Sequence, residues 1–97
     1  MKEKFSLGQV AATPAALKAL EASGQDANDF FDRHAIGEWG DGDEAANDLA
    51  LLTGEPLISA YKTLKGTKLL VVSDPVVEGQ RKMTVCVLPA EYGEDEQ

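Results

Sequence analysis

The hydrophobic period of the chain changes near its middle. From residue 14 to residue 54, apolar residues recur at three- to four-residue spacing, which is typical of amphipathic helices. From residue 57 onward, short apolar and β-branched runs alternate with turn-forming residues, which is typical of strands. Because helices come first and strands follow, the pattern predicts an α+β fold.

The first two predicted helices are delimited by caps and glycines. The first spans about 14–23, with Thr13 as N-cap and Pro14 at the first helical position, where its missing N–H costs nothing. The second begins near Asp26 and ends at Gly37. These boundaries make both helices short and place a glycine-rich loop after the second.

A third helix fits the segment GDEAANDLALLTG, which ends at Gly54. Asp41 is its predicted N-cap, and Asp43 and Glu44 lie near its first turn, where the helix dipole favours anions. The apolar residues on or near one face of this helix are Ala45, Leu49 and Leu52.

Three strands are predicted over residues 57–63, 67–73 and 82–88. The short link LKG joins the first two as a tight hairpin, and a longer loop leads to the third. The prediction is therefore about three N-terminal helices packed on one face of a three-stranded antiparallel meander. The chain is read as a single domain over residues 1–97, with frayed tails at 1–6 and 93–97.

Charge is distributed unevenly along the chain. The net charge is −8, with about −7 on residues 1–60, +3 on residues 61–88 and −4 on the remainder. An acidic balance argues against direct binding to nucleic acid, and it favours a protein partner with a basic surface.

Cysteine content and hydropathy indicate a compartment. Cys86 is the only cysteine, so no internal disulfide can form, which fits a reducing environment. The chain has neither the apolar core of a signal peptide nor a run of about 20 apolar residues. The prediction is a cytoplasmic protein with no membrane contact.

Several blocks of sequence occur in a recognisable order: LGQVAATPAALKALEASGQ, RHAIGEWGD, ISAY, KLLVVSD and VLPAEY. From about Leu7 to Tyr92 this order resembles a family of small bacterial proteins that are carried on plasmids and integrative elements and described as plasmid-related. The resemblance implies a mobile-element context, and it implies no activity.

The loop after the second helix concentrates unusual residues. Trp39 lies between glycines, beside Glu38 and Asp41, so these three residues form a candidate binding set. The alternative for Trp39 is a ring folded onto the core. His34, the only histidine, could act as an acid or base. Its alternative role is a helix C-terminal residue bonded to a last-turn carbonyl.

No cofactor or metal site is predicted. Asp41 and Asp43 match the first two ligands of a calcium loop, but Ala45 and Ala46 stand where a third ligand and a glycine are needed. One histidine and one cysteine cannot supply a zinc site. The glycines near Trp39 do not follow a strand, so they are no phosphate-binding loop.

The sequence is compatible with two functions. The first is a non-enzymatic, acidic interaction module of a plasmid or mobile element that binds a partner protein. The alternative is a small nuclease of the barnase or RelE-like toxin type, with His34, Tyr61, Lys62 and Thr84 as candidate catalytic residues. The nuclease hypothesis requires His34 to lie within about 10 Å of Tyr61 or Thr84. An exposed strand edge could also pair two copies of the chain.

Overall fold

The computed structural model describes residues 2–93. The elements, in chain order, are β1 (Gln9–Ala12), α1 (Pro14–Ala22), α2 (Ala27–Ala35), α3 (Glu44–Thr53), β2 (Leu57–Lys62), β3 (Lys68–Ser73), β4 (Met83–Val87) and a short 3-10 helix (Pro89–Tyr92). The strands form one sheet in the order β1-β4-β3-β2. The predicted tail at 93–97 falls outside the described residues, except for Gly93.

The meander prediction is wrong, because the sheet within residues 2–93 has four strands and is mixed. β2, β3 and β4 are antiparallel neighbours, while β1 pairs parallel to β4, with Gln9 opposite Met83 and Ala12 opposite Cys86. One strand thus precedes the helices and three follow them. β1 was missed because its four residues, QVAA, lack an apolar alternation and lie at an exposed sheet edge.

The helix starts follow from side-chain caps. The Thr13 side chain accepts a hydrogen bond from Ala16 N, as predicted, and Asp26 caps α2 at Asn28 N. The N-cap of α3 is Asp43, which accepts from Ala46 N, and the prediction of Asp41 was wrong. Asp41 N instead donates to Ala60 O, which places Asp41 beside the sheet.

The helices α1 and α2 lie on one face of the sheet. Their side chains share a core with strand residues of that face: Ala16, Leu20, Phe30, Phe31, Tyr61, Leu69, Val71 and Cys86. The opposite face carries a separate apolar cluster, and its residues are Ala60, Leu70, Val72 and Val87, with Ile58 and Val85 beside them. Side chains alternate along β2, since Ser59 and Tyr61 lie on the helical face while Ile58 and Ala60 lie on the other.

The outer edge of β2 is covered. Ala60 N donates to Trp39 O, and the Asn47 side chain bonds both Ile58 N and Ile58 O, at 3.0 and 2.8 Å. An uncovered strand edge would present unpaired backbone groups to another chain. The loop after α2 and the buried Asn47 of α3 therefore close this edge, and β1 forms the other edge of the sheet.

The orientation of α3 leaves apolar side chains in solvent. Asn47 and Ala50 are buried, whereas Leu49 is 59% exposed and Leu52 is 85% exposed. The hydrogen bonds of Asn47 to β2 determine this orientation, because a buried polar side chain must keep its partners. The apolar stripe predicted from the sequence therefore points away from the core.

No helix in the described part of the chain has both the length and the apolar character that a membrane crossing requires.

Candidate functional site

His34 is fully buried and lies at the centre of a polar network inside the helical face of the sheet. Its Nδ1 lies 2.5 Å from Ser59 Oγ on β2, and its Nε2 lies 2.9 Å from Ser73 Oγ on β3. Ser73 Oγ lies 2.7 Å from Thr84 Oγ1 on β4. Thr84 donates to Leu7 O at 2.8 Å, so the network connects α2, three strands and the N-terminal segment.

The hydrogen-bond network determines which group donates in each of its bonds. Because Thr84 Oγ1 donates to Leu7 O, it must accept from Ser73 Oγ. Ser73 has then used its proton, so His34 Nε2 carries a hydrogen and donates to Ser73 Oγ. In neutral imidazole Nδ1 is then the acceptor, and it receives the hydroxyl proton of Ser59. We therefore assign His34 as the neutral Nε2–H tautomer.

The surroundings keep His34 neutral. Burial, together with the smaller effect of the positive charge of Arg81, lowers the pKa of His34 from 6.5 to about 4. Burial also raises the pKa of the Cys86 thiol to about 11, so that thiol stays protonated near neutrality. His34 lies in the last turn of α2, as the alternative role requires, but its ring nitrogens bond strand hydroxyls rather than last-turn carbonyls.

Two aromatic rings cover His34. The Phe5 ring meets the imidazole edge-on at 5.2 Å, and the Trp39 ring does so at 5.5 Å. Phe5 and Trp39 stack with centroids 6.3 Å apart. Phe5 comes from the segment predicted to fray, and Lys4 N donates to Ala35 O beside it. These rings separate the imidazole from solvent.

The three candidate binding residues of the loop have different environments. Trp39 is 5% exposed and packs with Ala50 and Leu57 in the interior, so its ring offers little surface to a ligand. The side chain of Glu38 forms a salt bridge with Arg33 at 2.9 Å, and Asp41 is exposed.

The nuclease candidates are only partly brought together. His34 and Thr84 lie two hydrogen bonds apart, which satisfies the required proximity. Tyr61 is buried on the same face, where its hydroxyl donates to Glu38 O at 2.6 Å, and burial raises its pKa to about 12. Lys62 is exposed on the opposite face of the sheet, where it lies across from Lys68 in the register of β2 and β3.

A second feature is an open cleft of about 920 Å³ between the N-terminal segment and the loop before β4. Its lining residues are Lys4, Phe5, Ser6, Gly8, Gln9, Leu51, Val76, Gly79, Gln80, Arg81 and Lys82. Gly8 is essential to its wall, because a Cβ there would lie 2.5 Å from the carbonyl oxygens of Arg81 and Lys82. Three cationic side chains line this cleft in a protein of net charge −8.

Arg81 has an unusual environment in this cleft. It is 8% exposed, and its guanidinium donates to the carbonyl oxygens of Glu55, Asp74 and Ala50 at 2.6, 3.0 and 3.0 Å. Within residues 2–93 no carboxylate forms a salt bridge with it. Sequence patterns do not distinguish Arg81 from the lysines of the sheet, because backbone carbonyl partners leave no side-chain signature.

Comparisons of the chain with protein-family models, with curated proteins and with solved structures give no match.

Proposed function

We propose that this protein is a non-enzymatic interaction module whose exposed α3 stripe, formed by Ala45, Leu49 and Leu52, binds a basic amphipathic segment of a partner protein. The exposure of Leu49 and Leu52 is the observation that carries the proposal. We place the protein in the cytoplasm, because Cys86 is its only cysteine, and on a plasmid or mobile element, because its sequence blocks resemble those of plasmid-related proteins.

The α3 stripe has the spacing of one helix face, since its members are four and three residues apart. Large side chains exposed next to one another are typical of protein-binding surfaces. Val76 and Val77 extend the apolar surface beyond the end of α3, because Val76 N donates to Gly54 O and both valines are more than 40% exposed.

Charge determines the kind of partner. Glu44 and Asp48 lie on α3 beside the stripe, Glu55 follows its end, and all three carboxylates are exposed. A partner segment with apolar residues on one face and lysine or arginine next to them would match both the apolar surface and the carboxylates. The acidic balance of residues 1–60 supports this choice over an acidic partner.

The first test is a titration with a synthetic helical peptide of leucine and lysine, followed by NMR. We expect the peptide to shift the amide resonances of α3 and to bind the Leu49→Gln, Leu52→Gln double variant at least about tenfold more weakly, because two apolar contacts are lost. High salt should weaken binding to the wild type, since the carboxylates are exposed.

The matched control is Leu64→Gln, at a hairpin residue that is 81% exposed. It removes a comparable leucine far from α3, and it should bind the peptide like the wild type. A scrambled peptide with the same charge but no apolar face should bind weakly. Equal losses in the Leu64 variant and the double variant would contradict the assignment of the α3 stripe.

The nuclease alternative has its own assay. The shared network of His34 and Thr84 favours it, while the sealed position of His34 opposes it. We expect single-stranded RNA to be degraded at the same background rate by the wild type and by His34→Gln. A wild-type rate that clearly exceeds background and falls in the variant would replace the interaction module by the nuclease.

A further inference from the structure

We infer that the cationic cleft, lined by Lys4, Arg81 and Lys82, binds a small phosphate monoester. This site borders the extension of the α3 stripe at Val76, but its three cations lie outside that stripe, so the inference does not depend on the proposed partner binding. The inference depends on three observations: an arginine without a carboxylate partner, two further cations in the same cleft, and an apolar floor next to them.

Arg81 retains two hydrogen-bond donors for a ligand. A guanidinium has five N–H groups, and three of those of Arg81 are used by backbone carbonyls. The remaining two are the Nε–H and one Nη2–H, a pair of donors on one guanidinium that can meet two oxygens of one oxyanion. Nε has no partner within residues 2–93, yet no buried side-chain nitrogen there is unsatisfied, so Nε retains some exposure to solvent in a residue that lines the cleft.

The charge of Arg81 is also not neutralised by its surroundings. Its three carbonyl partners orient the guanidinium but carry no net charge, and its field reaches His34, whose pKa it lowers. A buried cation without a counterion favours an anionic ligand, because the ligand supplies the missing charge in a region that is poorly solvated.

Lys4 and Lys82 indicate a dianion. Both are exposed residues of the cleft, and no aspartate or glutamate is found among its described lining residues. With three positive charges nearby, an ion of charge −2 gains more Coulomb energy than a carboxylate of charge −1. A phosphate monoester carries nearly this charge at neutral pH.

The apolar floor of the cleft indicates that the ligand also has an apolar organic group. Phe5, Leu51 and Val76 line it beside the cations, and Arg81 lies 5.8 Å from the centre of the Phe5 ring. A pocket that combines apolar walls with a few polar groups is typical of small-molecule sites. The phosphate would meet Arg81 and the lysines, and the apolar part of the ligand would lie on Phe5, Leu51 and Val76.

The test is an NMR titration with phenyl phosphate, compared with benzoate, inorganic phosphate and benzyl alcohol. We expect phenyl phosphate to shift the resonances of the cleft residues and to bind more tightly than each of the other three compounds. Lys4→Gln and Lys82→Gln should each weaken its binding about threefold, and the double variant about tenfold, because both charges are exposed. Arg81→Lys, which keeps the charge but loses the paired donors, should weaken it more than about tenfold.

The matched control is Lys65→Gln, which removes one exposed charge at the hairpin between β2 and β3. An equal loss of binding in this variant would overturn the site, since it would show a diffuse charge effect. If benzoate bound as tightly as phenyl phosphate, the site would not select a dianion. If inorganic phosphate bound as tightly, the apolar floor would not contribute to binding. The absence of shifts in the cleft at roughly 10 mM phenyl phosphate would overturn the inference as a whole.

Discussion

His34→Ala is expected to lower the free energy of unfolding by about 4 kcal/mol. The substitution leaves a cavity at a fully buried position. It also removes the acceptor of the Ser59 hydroxyl and the donor to Ser73 Oγ, and buried polar groups without partners cost about 1–3 kcal/mol each. Urea denaturation followed by circular dichroism measures the loss.

His34→Gln is the matched variant. Glutamine fills more of the space than alanine, and its amide can accept from Ser59 while donating to Ser73. We expect it to lose about half as much stability as His34→Ala. If His34→Ala were as stable as the wild type, or if His34→Gln were the less stable of the two, the polar network would not contribute as described.

The same network determines how stability depends on pH. The pKa of His34 is about 4 in the folded protein and near 6.5 when unfolded. Above pH 6.5 the histidine is neutral in both states, so its contribution is fully present. As pH falls from 6.5 to 4, the unfolded chain binds the proton first, and about 3 kcal/mol of stability is lost. His34→Gln lacks this group, so its stability should fall less over that interval.

The sequence predicted the central part of the sheet because β2, β3 and β4 are apolar runs with clear turn residues between them. It did not predict β1, whose pairing with β4 joins residues more than 70 positions apart. Periodicity within a short window cannot detect such a contact. β1 carries no alternation of its own, so only the partner strand reveals it.

The orientation of α3 was equally inaccessible to periodicity. Ala45, Leu49 and Leu52 match the spacing of a buried face, yet the face that is buried contains Asn47 and Ala50. The deciding interaction is a pair of hydrogen bonds from Asn47 to the edge of β2. A polar residue in a helix usually faces solvent, whereas Asn47 is buried and bonds the backbone of β2.

His34 was identified from the sequence because it is the only histidine, but its environment was not. Ser59 and Ser73 look like solvent-facing strand residues in a sequence, whereas both are fully buried on the helical face. The available signal was the alternation of β2, which places Ser59 on the same face as Leu57 and Tyr61. A serine on the core face of a strand requires a hydrogen-bond partner, and His34 provides it.

Arg81→Met is expected to lower the free energy of unfolding by about 3 kcal/mol. The guanidinium joins three places that are separate in sequence: the last turn of α3 at Ala50, the segment before β2 at Glu55, and the residue after β3, Asp74. Hydrogen bonds to a charged group contribute about 1.5–3 kcal/mol each, and a cation at the end of a helix adds to this.

An opposing effect must be weighed against these bonds. Burying a charge costs solvation energy, and apolar residues can replace a buried ion pair without loss of stability. Arg81 differs from that case, because its removal leaves the carbonyl oxygens of Glu55 and Asp74 without these bonds and no ionic partner is relieved of its own burial. Lys82→Met, at the exposed neighbouring residue, is the matched control and should change stability by less than about 0.5 kcal/mol.

The titration of His34 separates an electrostatic role of Arg81 from simple packing. Since the charge of Arg81 lowers the pKa of His34, Arg81→Met should raise that pKa toward its usual value, whereas Arg81→Lys should leave it near the wild-type value. NMR of the imidazole protons follows the titration directly. A Met variant that is as stable as the wild type, with an unchanged His34 pKa, would show that the guanidinium neither joins these segments nor acts on the network.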